Sequence, residues 1–122
     1  MSPVQFPVGR SAPTPWVNLT LGTSIGTPSH GYPPQVMADG DWVMLRGRID
    51  RTGGFSAGDL DNVFTVPIPF RPLQAVSFVV NGESSSTPRF ARLEVNAAGV
   101  ARIGCSLATA WLSLDGARWP RS

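Results

Sequence analysis

Apolar residues along this chain recur at every second position, in short runs bounded by turn formers. Val17, Leu19 and Leu21 alternate with polar neighbours over residues 16–21. Residues 42–51 form the longest run, with Val43, Leu45, Gly47 and Ile49 on one side and Trp42, Met44, Arg46 and Arg48 on the other. The pattern returns as Val76, Phe78 and Val80 in 74–80, and as Ala91, Leu93 and Val95 in 89–95. Shorter runs fall at 35–37, 63–66, 100–105 and 111–114. A period of two marks strands with one buried face, and nowhere do apolar residues recur at helical spacing.

The breaks between runs carry turn chemistry. Residues 22–34 read as a long polar loop, Ala38-Asp39-Gly40-Asp41 as a tight break, and Thr52-Gly53-Gly54 as the end of the longest strand. Asn81 to Thr87 is a serine-rich turn, and Asn96-Ala97-Ala98-Gly99 is a four-residue hairpin connection whose glycine suits positive φ. Pro67, Pro69 and Pro72 keep their stretch out of a central ladder. The expected fold is all-β: a single antiparallel β-sandwich or jelly roll over residues 16–122, of about seven or eight short strands.

Residues 1–15 form a separate unit. Prolines at 3, 7, 13 and 15 favour an extended arm, and Val4, Phe6 and Val8 alternate to give it one apolar edge that suits a partner surface. The opening has neither a basic start nor a continuous apolar core, so it does not read as a signal peptide.

Composition narrows the classes. The chain has 122 residues, 42% of them hydrophobic and only 15% charged, against roughly 25% charged in ordinary soluble domains. It is apolar enough to build a core, which excludes disorder. No apolar run is long enough to span a membrane. Ten basic residues, all arginine, against eight acidic ones leave a net charge of +2, too weak a field for a nucleic-acid binder. A single cysteine, Cys105, excludes an internal disulfide and a cysteine-based zinc site, and reads as a small buried hydrophobe.

The outward faces are unusual. Trp42, Met44, Phe90 and Trp111 turn away from the core, interleaved with Arg46, Arg48, Arg92 and Arg102. Large apolar residues gathered on a small domain mark an interface, and arginine is enriched there. Another copy of the chain is the simplest partner.

Catalytic motifs do not assemble. Gly22-Thr23-Ser24-Ile25-Gly26 matches a nucleophile elbow, but Pro28 forbids the helix that must follow, and the single histidine lies in the same loop. Asp39-Gly40-Asp41 and Asp59-Leu60-Asp61 supply too few oxygens for calcium and read as turns. His30 and Tyr32 mark a possible ligand-contact loop, and Tyr32 and Trp119 could stack on a sugar. No enzyme, cofactor or metal is expected.

Five segments, in order, carry a resemblance. Residues 16–21 (Trp-Val-Asn-Leu-Thr-Leu), Gly40-Asp41-Trp42-Val43-Met44-Leu45-Arg46-Gly47, Pro67-Ile68-Pro69-Phe70-Arg71-Pro72, Gly99-Val100-Ala101-Arg102-Ile103 and 111–119 (Trp-Leu-Ser-Leu-Asp-Gly-Ala-Arg-Trp) resemble the C-terminal β-sandwich, jelly-roll-like domain of bacteriophage tail-fibre and minor tail proteins. That resemblance implies a non-enzymatic virion protein, a homotrimer on the particle exterior, made in the bacterial host cytoplasm and contacting the host surface, with a surface glycan as a possible ligand. It leaves two alternatives: a capsid decoration or spike protein docked by Val4, Phe6 and Val8 of its arm, and a monomeric carbohydrate-binding module outside any virus.

Overall fold

The computed structural model describes residues 12–121; the arm residues Val4, Phe6 and Val8 lie outside them. Alternation has produced strands throughout. One sheet contains β1 (Val17–Asn18), β4 (Gln35–Asp39), β5 (Trp42–Arg46) and β13 (Arg118–Pro120), in that order. The second runs β3 (Ile25–Gly26), β6 (Arg48–Phe55), β12 (Thr109–Ser113), β9 (Val76–Ser84), β10 (Thr87–Val95), β11 (Ala101–Cys105) and β7 (Gly58–Leu60). A separate two-stranded ladder pairs β2 (Thr20–Leu21) with β8 (Phe64–Thr65). All pairings are antiparallel. Seven of the strands, β4, β5, β6 and β9 to β12, run five residues or more.

The inward faces expected for 42–51, 74–80 and 89–95 contribute to the core, joined by faces the sequence did not assign. Val36, Ala38, Val43 and Leu45 of the first sheet meet Ile49, Val80, Leu93, Val95, Ile103 and Leu112 of the second, all buried. Each such aliphatic side chain contributes about 1.5–3 kcal/mol. Val76 and Phe78 pack against this core but are only half-buried. Trp119, read from the sequence as a possible sugar-stacking residue, is instead 1% exposed: its indole N–H donates to the Phe70 carbonyl at 2.9 Å. A ring this large on the inner side of β13 fills the sandwich rather than its rim.

Several boundaries differ from the sequence reading. The expected 81–87 turn shrinks to Ser85 and Ser86 because β9 and β10 pair up to it. Ala38 and Asp39 belong to β4 and not to the break after it, and Asp59 and Leu60 lie in β7 and not in a turn. Residues 42–51 are not one strand. They break at Gly47, which has φ +102 and sits so close to Pro33 that a Cβ would lie 2.1 Å from its carbonyl oxygen. The chain thereby passes from the first sheet to the second with its core face unchanged. Gly53 and Gly54 do not end the strand either: β6 continues to the buried Phe55. Both glycines have positive φ, and they lie where the pairing with β12 shifts register between Thr109 and Trp111, a bulge. Within the 22–34 loop, Ser24 (φ +64) sits in a turn that leads into strand β3, not into a helix.

Candidate functional site

The outward residues of β5 and β6 form a band around the Gly47 corner. Register places Gln35 opposite Arg46, Met37 opposite Met44, and Asp39 opposite Trp42, while Arg118 lies on the other side of Met44. Asn18 lies opposite Gln35, which completes a row across three strands. That row is hydrogen-bonded: Gln35 Nε2 donates to Asn18 Oδ1 at 2.9 Å, and Arg46 Nε donates to Gln35 Oε1 at 2.9 Å.

Arg46 is clamped on both faces. Its guanidinium carbon lies 4.2 Å from the centroid of Trp16 and 4.2 Å from that of Tyr32. Arg48 covers Trp111 at 4.1 Å and touches His30 Nδ1, and the His30 ring meets Trp111 edge-on with centroids 5.1 Å apart. Arg118 stacks on Trp42 at 4.7 Å. Each stack is worth roughly 0.5–1 kcal/mol at an exposed position, and together they order side chains that would otherwise sample many rotamers. The 22–34 loop is tied down beside them, since Arg48 N–H donates to the Tyr32 carbonyl at 2.9 Å.

The clamped arginines carry no carboxylate. Among the described residues the ion pairs are those of Arg102 with Asp59 (2.7 Å) and Asp61 (3.1 Å), elsewhere on the surface. Arg46 and Arg48 therefore present fixed, uncompensated guanidinium groups. Beside them a depression of about 400 Å³ is lined by Trp16, Met44, Leu45, Gly116, Ala117 and Arg118. Stacked rings with forked donors suit a polar, ring-bearing or acidic contact.

The structure joins two groups of residues that the sequence kept apart. Arg46 and Arg48 of the outward-face set lie against Tyr32 and His30 of the loop set. Trp111 is half-buried beneath this cluster, and Met44 is half-buried between Met37 and Arg118. Phe90 and Arg92 stand apart on β10. They occupy the same outer sheet face as Trp111, two strands away, with Val79 opposite Arg92. Phe90 is 61% exposed and Val79 77% exposed.

Trp16, Asn18, Gln35, Met37 and Arg118 were not singled out from the sequence. The signal for two of them, Met37 and Gln35, was the Gly40-Asp41 pair: a two-residue turn there sets Asp39 opposite Trp42 and so Met37 opposite Met44 and Gln35 opposite Arg46. Among the described residues no group of three or more His, Cys, Asp or Glu could hold a metal, and no helix is long and apolar enough to cross a membrane. Burial pushes the Cys105 thiol above its ordinary pKa, against a smaller opposing effect of its hydrogen bond to Thr109.

Two packed antiparallel sheets with an ordered aromatic–arginine band define a small all-β sandwich domain. No family model and no curated protein matches the chain. Among solved structures, its fold is similar to the head domain of lactococcal phage bIL170, a crystal structure described with the receptor-binding domains of lactococcal phages. The TM-score is 0.65 at 17% identity, over 87% of this chain and 96% of that one. The chain thus has the fold of a phage receptor-binding head domain.

Proposed function

We propose that this chain is a non-enzymatic structural protein of a bacteriophage virion, a homotrimeric minor tail or tail-tip component on the particle exterior that contacts the host surface. The observation that carries the reading is the fold likeness, which extends over 96% of a phage receptor-binding head domain. The five-segment resemblance to tail-fibre and minor tail proteins points the same way, and it is independent of backbone geometry. In this reading the clamped Arg46 and Arg48, with Tyr32, His30 and Trp111, face the host, where a surface glycan could stack on the rings. Trp42, Met44, Phe90 and Arg92 lie between copies.

Immunogold electron microscopy of virions tests the location. Label confined to the tail is the expected outcome; label over the head establishes capsid decoration instead. Light scattering tests assembly, with three chain masses expected. A stable monomer that binds free sugar supports a carbohydrate-binding module and overturns the trimer.

A further inference from the structure

β7 ends the seven-stranded sheet, and its far edge has no strand partner among the described residues. Gly58 and Leu60 face inward there, opposite Cys105 and Ile103. A Cβ added to Gly58 would meet nothing within 4 Å. Beside it opens a slot of about 160 Å³, where Phe55, Leu60 and Cys105 share the lining with Arg51, Ser56 and Asp59. On the outer face Arg102 bridges Asp59 and Asp61, which holds β7 in place without closing the slot. A free strand edge beside an open slot can accept an added strand: backbone bonds supply affinity and alternate side chains enter the slot.

The N-terminal sequence has the pattern of such a strand. In an extended chain, alternate residues share both a face and a backbone edge. Val4, Phe6 and Val8 are all even-numbered, whereas Pro3, Pro7, Pro13 and Pro15 are all odd-numbered. Every donor missing to proline therefore falls on one edge, and the backbone donors of Val4, Phe6 and Val8 belong to the other. The even edge is already in use where the described residues begin, since Thr14 N–H donates to the Ala38 carbonyl at 2.8 Å. That contact also sets the direction. The chain runs antiparallel to β4 next to its last residue, Asp39, so residues 12 and 13 lie toward the β4–β5 turn. Residues 1–11 can reach about 36 Å when extended.

We propose that residues 2–8 of one copy add as an edge strand to β7 of a second copy, with Val4, Phe6 and Val8 turned toward the slot. Pro3 and Pro7 leave the outer edge of the added strand short of donors, so it closes the sheet and does not template another strand.

Cys105 lines the slot and is the chain's single cysteine, so its reaction with a disulfide reagent such as DTNB reports occupancy. In the full chain, Val4→Pro and Val8→Pro remove donors from the pairing edge. Each is expected to speed the Cys105 reaction at least tenfold with the melting temperature unchanged. Gln5→Pro, on the idle edge, should leave the rate as it is. Under mild oxidation Phe6→Cys should link to Cys105 of another copy and run as covalent multimers, while Gln5→Cys should not. Equal effects at positions 4 and 5, unchanged rates in all three proline variants, or a Phe6→Cys disulfide confined to single chains would each overturn the proposal.

Discussion

Two buried side chains show how local chemistry becomes measurable stability. Trp119 is enclosed on the inner side of β13, and its indole N–H is bonded to the Phe70 carbonyl. Trp119→Phe removes that donor and leaves a partial void. We expect a loss of about 2–4 kcal/mol in urea unfolding, combining an unsatisfied buried carbonyl with a cavity. Cys105 gives a pH signature. Burial raises its folded pKa, so above the ordinary thiol pKa the unfolded chain ionises first and binds fewer protons than the folded one. The stability contributed by the neutral thiol is complete below that pH and declines as pH rises toward the raised value. Cys105→Ala has a cavity cost but no such titration. The stability gap between wild type and Cys105→Ala should therefore narrow between pH 8 and 10, as followed by thermal melts; a constant gap would show that the thiol does not titrate differently on folding.

At the level of elements, period-two alternation was enough to assign the core faces of β5, β6, β9 and β10, because a one-residue slip would expose every buried side chain. Breaks were harder to place, because a glycine in a strand can mean an end, a bulge or a corner, and the chain alone does not separate these. Gly47 is a corner because Pro33 crosses directly over it, a contact made by distant sequence. Gly47→Ala combines a positive-φ penalty with a backbone clash. We expect it to cost more than about 3 kcal/mol, or to prevent folding, since strain and overpacking each contribute roughly 1–3 kcal/mol. The β9–β10 hairpin offers the reverse case. Its turn places Ser85 and Ser86 at φ +49 and +65, where serine is disfavoured and Asn-Gly is preferred. The double change Ser85→Asn, Ser86→Gly should stabilise the protein by about 1 kcal/mol, which raises its melting temperature by several degrees. An unchanged melt would mean that the Ser-Ser turn is relieved by contacts outside the hairpin.

For the whole molecule, the outer surface was legible as composition but not as arrangement. The outward phase of Trp42, Met44, Arg46, Arg48, Phe90, Arg92 and Trp111 followed from alternation. Which of them remain free depended on how the 22–34 loop folds back, and that loop has no periodicity to read. Tyr32 and His30 take up faces of Arg46 and Arg48, and Trp111 lies beneath Arg48, so these residues are already engaged within one chain. Phe90 and Val79 are not: they stand exposed on the outer face of β9 and β10, with Arg92 beside them and no aromatic clamp. If copies associate through an outer sheet face, this is where apolar area remains to be covered, and a charge placed there would be buried without a partner. If the proposed trimer forms through this face, Phe90→Asp should reduce it to monomer by light scattering while leaving the melting transition of the single domain in place, because Phe90 contributes nothing to the core. Under the proposed function Arg46→Ala should do the opposite, preserving the proposed trimer and weakening virion adsorption to host cells, since it dismantles the Trp16–Arg46–Tyr32 stack without touching β10. A trimer that survives Phe90→Asp but falls apart with Arg46→Ala would exchange the two assignments, making the clamped band the contact between copies and the β9–β10 face the one turned to the host.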